Sequence, residues 1–574
     1  MESKIVDNTY EKITPKELYQ KLLDWNKKLD EEITLEKINR MKNKKWKKDG
    51  SLSPADLKIL ISKFPTPING IELIDIKLKN KYKEDDVFLE QKFIQKNLRR
   101  GESFFHNIFS DEYGYARCGL PKFFDYKKKI LEEKDKKNNN CVLGEIENID
   151  VNNGENKLKL KFYVYLTTKV NGENFQVSYN KKLKAWIIGS KNVSILCRNG
   201  DDLEFYENEN NFKENSNEKN DIKINKNKNI NKKIIEKTKN ENINNSTIPL
   251  KEEDEDNNGK NDEIKNDKAD KNFILLRYKF VLEFGKLWFE ILNKKIGKEK
   301  LDNFINDIGD FTLIGENVGD KEHEHIKIYE EKDIIFYAIV NNNKFSTEKC
   351  LPFNESFEIF KKYGLSYVNF NKSEKFNTYN QLINYLNEQY DIIFDKSMDE
   401  YGEGSVIYLA TSEMIDDKEK EIIRGLGKLK TFEYRFLRKI REKCKHIPQR
   451  RNILDSNKEL NEKEKEILQN KIRSENKRNK PKIDSIVELT AKETEKLISD
   501  VEKSKYYLNS PDLLKWINFA KNVYNYWYMD SYDYNDMFAS FIDKMKKVFY
   551  NSDKIPEIDE NLINEIRKEI IKKK

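Results

Sequence analysis

The segment with the clearest chemical potential is Thr167-Thr168-Lys169-Val170-Asn171-Gly172-Glu173-Asn174-Phe175. An apolar run, Leu160 to Leu166, leads into it, and a second, Phe175 to Tyr179, leaves it. A lysine at the end of a buried strand, followed three residues later by Gly in a tight turn, presents its amine at the floor of a cleft. Free lysine has a pKa of about 10.4 and becomes a nucleophile near neutrality only where cations or desolvation lower that value. The same segment also reads as an ordinary hairpin with an Asn-Gly turn. Five more segments put charged or aromatic side chains on or beside predicted strands and turns: Gly189-Ser190-Lys191-Asn192, Leu313-Ile314-Gly315-Glu316, Ile334-Ile335-Phe336-Tyr337-Ala338, Glu403-Gly404-Ser405-Val406-Ile407 and Lys428-Leu429-Lys430. Singly, each has a plainer reading: surface carboxylates at Glu316 and Glu403, a core ring at Phe336, a solvated face at Lys428 and Lys430.

The elements that must carry these groups follow from periodicity. From about Thr14 to Lys63 the pattern is helical, and Thr14-Pro15-Lys16-Glu17 and Ser53-Pro54-Ala55-Asp56 each set a capping residue before proline at a helix start. Leu73 to Tyr126 alternates apolar with polar residues, which predicts strands and turns. Between about Glu207 and Asn272 the composition collapses to Asn, Lys, Glu, Asp and Ile, too little apolar surface to offset ordering entropy, so a disordered insertion is expected. Helical spacing returns over Phe273–Leu292, strand-like runs follow at Thr312–Gly315, Ile334–Val340 and Ser405–Ala410, and the pattern from about Phe432 onward is helical. The expected organisation is a helical N-terminal region (1–67), an α+β domain (68–206 and 273–430) interrupted by the insertion (207–272), and a helical C-terminal domain (431–574).

The balance of 108 basic against 101 acidic residues leaves a net charge of +7, compatible with a nucleic-acid partner without requiring one. The five cysteines, Cys118, Cys141, Cys197, Cys350 and Cys444, form no CxxC pair, which argues against a disulfide framework or structural zinc. No leader and no run of about 18 apolar residues is visible, so an intracellular, cytoplasmic or nuclear protein without membrane contact is expected. The absence of Gly-x-x-x-x-Gly-Lys-Ser/Thr speaks against a kinase module. The four histidines form no pair of His-x-Thr motifs, and His323-Glu324-His325 reads as a solvated turn rather than a metal site.

In their order along the chain, the six segments resemble the motifs of the covalent nucleotidyltransferases, the superfamily of polynucleotide ligases and capping enzymes. Lys169-Val170-Asn171-Gly172 is similar to its Lys-x-Asp/Asn-Gly, with Asn174 where DNA ligases and capping enzymes usually have Arg. Ser190-Lys191 resembles the Ser-Lys motif of phage-type RNA ligases and tRNA ligases. Upstream, Arg99-Arg100-Gly101, Arg117 and Pro121-Lys122-Phe123-Phe124-Asp125-Tyr126 resemble the Arg-Gly and Lys-Phe-Phe-Asn signatures of that branch, with Asp125 in place of Asn.

The resemblance implies an α+β nucleotidyltransferase (two-sheet ligase) core, two antiparallel sheets around an ATP cleft, with helical additions at both ends. It implies that Lys169 takes up AMP, that Arg100, Lys122, Asn174, Lys191, Glu316, Phe336, Lys428 and Lys430 bind the nucleotide, and that Glu403 serves Mg²⁺. Glu316 would contact the ribose, Phe336 would stack on adenine, and Lys428 and Lys430 would hold the α-phosphate. The implied activity is that of an ATP-dependent RNA ligase of RNA repair or tRNA splicing, a monomer that joins 5′-phosphate and 3′-hydroxyl RNA ends prepared elsewhere by end-healing enzymes. The alternatives are an mRNA capping guanylyltransferase, disfavoured by Asn174 and the upstream Lys122 segment, and a non-catalytic RNA-binding protein derived from a ligase.

Overall fold

A computed structural model describes residues 13–42, 52–79, 84–126, 157–207, 280–319, 329–342, 349–394, 396, 401–415, 417–431, 434, 435 and 438. The Asn/Lys-rich stretch up to Asn272, His323 to His325, Cys141, Cys444 and nearly all of the C-terminal region lie outside the described residues.

Three sheets organise the α+β fold. Strands β1 (Ile59–Pro65), β2 (Ile71–Leu78), β3 (Glu102–Asn107) and β4 (Glu112–Arg117) form a four-stranded antiparallel sheet in sequence order. A second sheet runs β11 (Asp333–Asn341), β10 (Phe311–Val318), β7 (Glu173–Asn180), β8 (Ala185–Gly189), β9 (Ser194–Cys197). The third contains β12 (Phe370–Lys372), β6 (Lys157–Lys169), β14 (Gly404–Ile415), β15 (Lys418–Lys430) and the short β5 (Phe124–Asp125), which joins β15 in parallel; β13 (Phe376–Thr378) also pairs with β6.

Alternation in β6 decides what each face of the six-stranded sheet does. Phe162, Val164 and Leu166 turn to one side, where Leu382, Ile383 and Leu386 of the helix Tyr379–Phe394 cover them. That helix starts at a capping box: the Thr378 hydroxyl accepts the Gln381 N–H at 3.3 Å, and the Gln381 side-chain Oε1 accepts the Thr378 N–H at 3.2 Å. Tyr165 turns to the other side and joins the largest core, built with Val406 and Tyr408 of β14 and with Phe175, Val177 and Trp186 of the five-stranded sheet. The four-stranded sheet closes on β8 and β9 through Leu73, Phe105, Ala185, Ile187 and Leu196.

The N-terminal helix Pro15–Lys42 begins where the sequence predicts, with Thr14 and Glu17 capping each other reciprocally: the Thr14 N–H donates to the Glu17 carboxylate at 2.7 Å and the Glu17 N–H to the Thr14 hydroxyl at 3.2 Å. Two local expectations are corrected. The Ser53-Pro54 cap opens only one turn, because Ile59 to Pro65 is recruited as β1, with Asn26 bridging to the Ile59 backbone. The run from Leu73 to Tyr126 holds two short helices, Glu84–Glu90 and Lys92–Asn97, whose Val87, Phe88 and Ile94 complete the core under the four-stranded sheet.

Candidate active site

Lys169 is the last residue of β6, and β6 does not pair with β7. The two strands belong to different sheets, so the plain hairpin reading of this segment is excluded. Gly172 lies in the short passage between them. Its φ is ordinary, and what demands glycine is proximity: a Cβ there would meet the Asn317 carbonyl oxygen and, at 2.9 Å, Val318 Cγ1 of β10. The chain can cross from one sheet to the other only if it passes this close to β10.

Register builds the floor of the cleft. Lys169 stands opposite Gly404, and Gly404 opposite Lys430; Thr167 stands opposite Val406, and Val406 opposite Lys428. Residues directly opposed and residues two apart share a face, so Lys169, Lys428 and Lys430 all project from the side away from the helix Tyr379–Phe394. Gly402, with φ +61, lets the chain turn back beside Lys169, whose carbonyl oxygen would sit 2.6 Å from a Cβ at that position. The next residue, Glu403, donates its N–H to that same carbonyl at 2.9 Å. Its carboxylate lies 2.5 Å from the Lys169 ammonium and accepts the Asn171 amide N–H at 2.8 Å. Burial opposes charge on Glu403, but Lys169 and Asn171 outweigh it and hold the group down at about 2.

Lys428 and Lys430 converge on Asp125, each 3.6 Å from Oδ1. Parallel pairing of β5 with β15 sets Asp125 beside Lys428. Burial lowers the pKa of both lysines, that of Lys430 to about 8, against the pull of Asp125. Chain direction then changes at Thr431, whose hydroxyl accepts the Tyr434 N–H at 3.1 Å. Of the basic residues that follow, Arg435 acts on Asp125 electrostatically, while Arg441 lies outside the described residues.

The facing wall comes from the five-stranded sheet. Glu316 pairs across with Asn174 on one side and Ile335 on the other. Burial, reinforced by Glu403 and Glu173, pushes the Glu316 carboxyl up to about 8 in spite of Lys169 and Lys191. Asn174 donates to the Tyr337 hydroxyl at 2.9 Å and accepts from Gln176 at 2.9 Å; Gln176 also donates to the Arg100 carbonyl at 3.1 Å. This bond ties the wall to the four-stranded layer. There Arg100 and Lys122 share Glu84, each at 3.4 Å, and Lys122 lies 2.5 Å from Asp85. Lys191 is held in place from beneath, because Arg117, wholly buried, donates to the Ser190 carbonyl at 2.7 Å. Burial lowers the pKa of Lys191, as do Arg100 and Lys122. A shallow open cleft lined by Arg99, Arg100, Lys191 and Glu84 continues outward from here.

No family model and no curated protein matches this chain. Solved structures similar to it include RNA ligases. An archaeal ATP-dependent RNA ligase aligns at 12% identity over 68% of this chain with a TM-score of 0.29; this chain spans about 62% of that protein's length. A Naegleria gruberi RNA ligase variant with ATP and Mn aligns at 12% identity over 66% of this chain and 97% of its own, with a TM-score of 0.25.

Nine of the ten residues singled out in the sequence lie around one cleft: Lys169, Glu403, Lys428 and Lys430 on the floor, Asn174 and Glu316 on the wall, Arg100, Lys122 and Lys191 at the mouth. Phe336 does not join them. Its side chain is fully buried, edge-on to Phe175 with centroids 6.1 Å apart and stacked on Phe360 at 5.3 Å, and it belongs to the core behind β11. Strand alternation sends its neighbour Tyr337 to the cleft side instead. Tyr337 could have been found from that alternation, since Ile334, Phe336 and Ala338 already account for the inward face. Glu84, Asp85, Gln176 and Tyr329, whose hydroxyl accepts the Asn171 N–H at 3.2 Å, gave no local signal. Among the described residues no three acidic, histidine or cysteine side chains converge on one point, and no helix is long and apolar enough to cross a membrane.

Proposed function

We propose that this chain is an ATP-dependent RNA ligase that works through a lysyl-AMP intermediate on Lys169. The observation that carries the reading is the row Lys169–Gly404–Lys430, which aligns one amine with fixed positive charge on a single sheet face, with Glu403 clamping that amine. Attack by Lys169 Nζ on the α-phosphorus forms a P–N bond as the bond to pyrophosphate breaks, and negative charge builds on the phosphate oxygens. Lys428 and Lys430 share the sheet face of Lys169 and would meet that charge as fixed cations. Glu403, held at about 2, is a poor proton acceptor. Its part is to aim the amine, and the lysine proton leaves to water or to the departing pyrophosphate.

AMP then passes from Lys169 to an RNA 5′-phosphate, and a 3′-hydroxyl displaces it to close the strand. Mg²⁺ keeps much of its water and asks a protein for only one or two carboxylates. Glu316 and Glu403 fit that demand, because the Glu316 carboxyl, held up by burial and by the charge of Glu403, would be drawn into its ionised form by a divalent cation beside it. These two would hold the metal, which supplies charge neutralisation at the phosphates. RNA repair or tRNA splicing on ends that already carry 5′-phosphate and 3′-hydroxyl is the context this reading favours.

The test is incubation of the full chain with α-labelled ATP or GTP and Mg²⁺, followed by a denaturing gel. A covalent adduct from ATP that disappears in Lys169→Ala supports the reading. Labelling by GTP alone would redirect it to a guanylyltransferase, and labelling that persists in Lys169→Ala would move the nucleophile elsewhere.

A further inference from the structure

The mouth of the cleft holds more cation than anion, and its anions are unusually placed. Arg100, Lys122 and Lys191 gather there, faced by Glu84 and Asp85 at the start of the short helix Glu84–Glu90. Glu84 Oε1 is shared between Arg100 and Lys122 at 3.4 Å each, a long contact for a charged hydrogen bond. Asp85 reaches Lys122 at 2.5 Å; the lysine is nearly buried, while the Asp85 side chain is 64% exposed, so solvent reaches the anionic half of the pair. Among the described residues no carboxylate comes within ion-pair distance of Lys191; Arg100 and Lys122 repel it, and Glu84 and Glu173 attract it from farther away. The cations are thus gathered at the cost of mutual repulsion, satisfied by one long contact shared at Glu84 and one close contact to a solvent-exposed Asp85, both of which a multiply charged anion can replace.

We infer that Glu84 and Asp85 are a displaceable anionic placeholder, occupying the cations that take the outgoing pyrophosphate and competing with it for them. This rests on the ligase reading for the identity of the anion. Pyrophosphate brings several charges and many acceptor oxygens, and a guanidinium fork binds such a group bidentately where it now meets a single carboxylate oxygen. When it enters, Asp85 turns outward and Glu84 is left beside like charge. When it leaves, the two carboxylates return to Arg100 and Lys122. The placeholder therefore weakens product binding and opposes the reverse reaction, in which pyrophosphate oxygen attacks the α-phosphorus of lysyl-AMP, the P–N bond breaks, ATP leaves and the amine takes up a proton.

The experiment is the double variant Glu84→Gln with Asp85→Asn in the full chain. Pyrophosphate affinity is measured by titration calorimetry, and pyrophosphate-driven loss of label from the adenylated protein is followed in parallel. Competition predicts severalfold tighter pyrophosphate binding and a lower KM for pyrophosphate in the reverse reaction. If the two carboxylates instead orient the cations, binding weakens; weaker or unchanged binding overturns the inference. Asp85→Asn alone, at an exposed side chain, carries the same prediction in smaller degree should the double variant fold poorly. Binding of pyrophosphate needs no adduct, so a parent protein that never labels with ATP but shows this shift would sink the ligase reading and leave the placeholder standing.

Discussion

Lys169, Lys428 and Lys430 are held on the six-stranded sheet by backbone register, whereas Arg100, Lys122 and Lys191 at the mouth are arranged by side-chain ion pairs and one loop carbonyl. Ladder hydrogen bonds fix where the floor residues start, and slipping one register position would turn each of them into the apolar core beneath the helix Tyr379–Phe394. At the mouth isolated hydrogen bonds hold the backbone at Arg100 and Ser190, no ladder aligns the three cations, and the partner Asp85 is exposed to solvent. The difference separates two tasks: aiming a nucleophile at one phosphorus needs rigid geometry, and receiving and releasing a multiply charged leaving group needs partners that can be replaced.

The sharpest way to break this comparison is to remove one cation from each side. Lys430→Ala should cost at least roughly 100-fold in the single-turnover rate of adduct formation, the scale of losing a fixed donor at a developing oxyanion. Lys122→Ala should act mainly by raising the ATP concentration needed for half-maximal rate. Rapid-quench labelling across ATP concentrations separates the two, and equal effects on rate would show that the mouth is as catalytic as the floor. On stability, Phe336→Ala should cost about 3–5 kcal/mol, as expected when a fully buried ring leaves a cavity. Chemical denaturation reads that loss, and a near-neutral result would return Phe336 to the cleft.

Two carboxylates of the same cleft should respond to pH in opposite directions. The ordinary value for both is 4.5; Glu316 is raised to about 8 in the folded chain and Glu403 is lowered to about 2. Between 4.5 and 8 the folded state keeps a proton on Glu316 that the unfolded state has lost, so stability falls as pH rises through this window, by up to about 1.4 kcal/mol per pH unit. Between 4.5 and 2 the unfolded state holds a proton that folded Glu403 rejects, so the contribution of Glu403 is full above 4.5 and lost as pH falls. Denaturation midpoints of Glu316→Gln from pH 5 to 8 should be flatter than those of the parent chain; parallel curves would mean that Glu316 is already ionised.

The strands that carry the floor are legible in the sequence because apolar runs mark them, but their register is not. The residues themselves stand out by motif resemblance; the apolar run Leu160 to Leu166 marks the strand, and the shared face of Lys169, Lys428 and Lys430 appears only with the pairing of β6, β14 and β15. The α+β class followed from the same strands. Gly172 was read as a turn residue, since sequence cannot show that β10 passes within contact distance. Glu84 and Asp85 were invisible for the same reason: their partners lie at positions 100 and 122, and nothing in a run of acidic residues says which cation will meet it. Ile59 to Pro65 misled because its cap at Ser53 is real, but pairing with β2 overrides the helix that the cap begins.

The smallest expected effect concerns Tyr337, and it tests whether the cleft wall takes its aromatic ring from Tyr337 or from Phe336, the ring that the motif resemblance implies. Tyr337 sits next to Phe336 in β11, on the opposite face, with its hydroxyl accepting from Asn174. Replacing it by Phe keeps the ring and removes one partly buried hydrogen bond, so stability should drop by only about 1 kcal/mol. The Asn174 amide then loses an acceptor while Gln176 still donates to it, so its orientation toward the cleft loosens. Because Asn174 and Glu316 are directly paired, that loosening reaches the wall where the nucleoside of ATP would lie. Tyr337→Phe should therefore raise the ATP requirement severalfold and leave the maximal rate of adduct formation nearly unchanged, the reverse of Lys430→Ala. A variant with unaltered ATP dependence would show that Tyr337 takes no part in nucleotide binding, and that the aromatic strand contributes only its buried face.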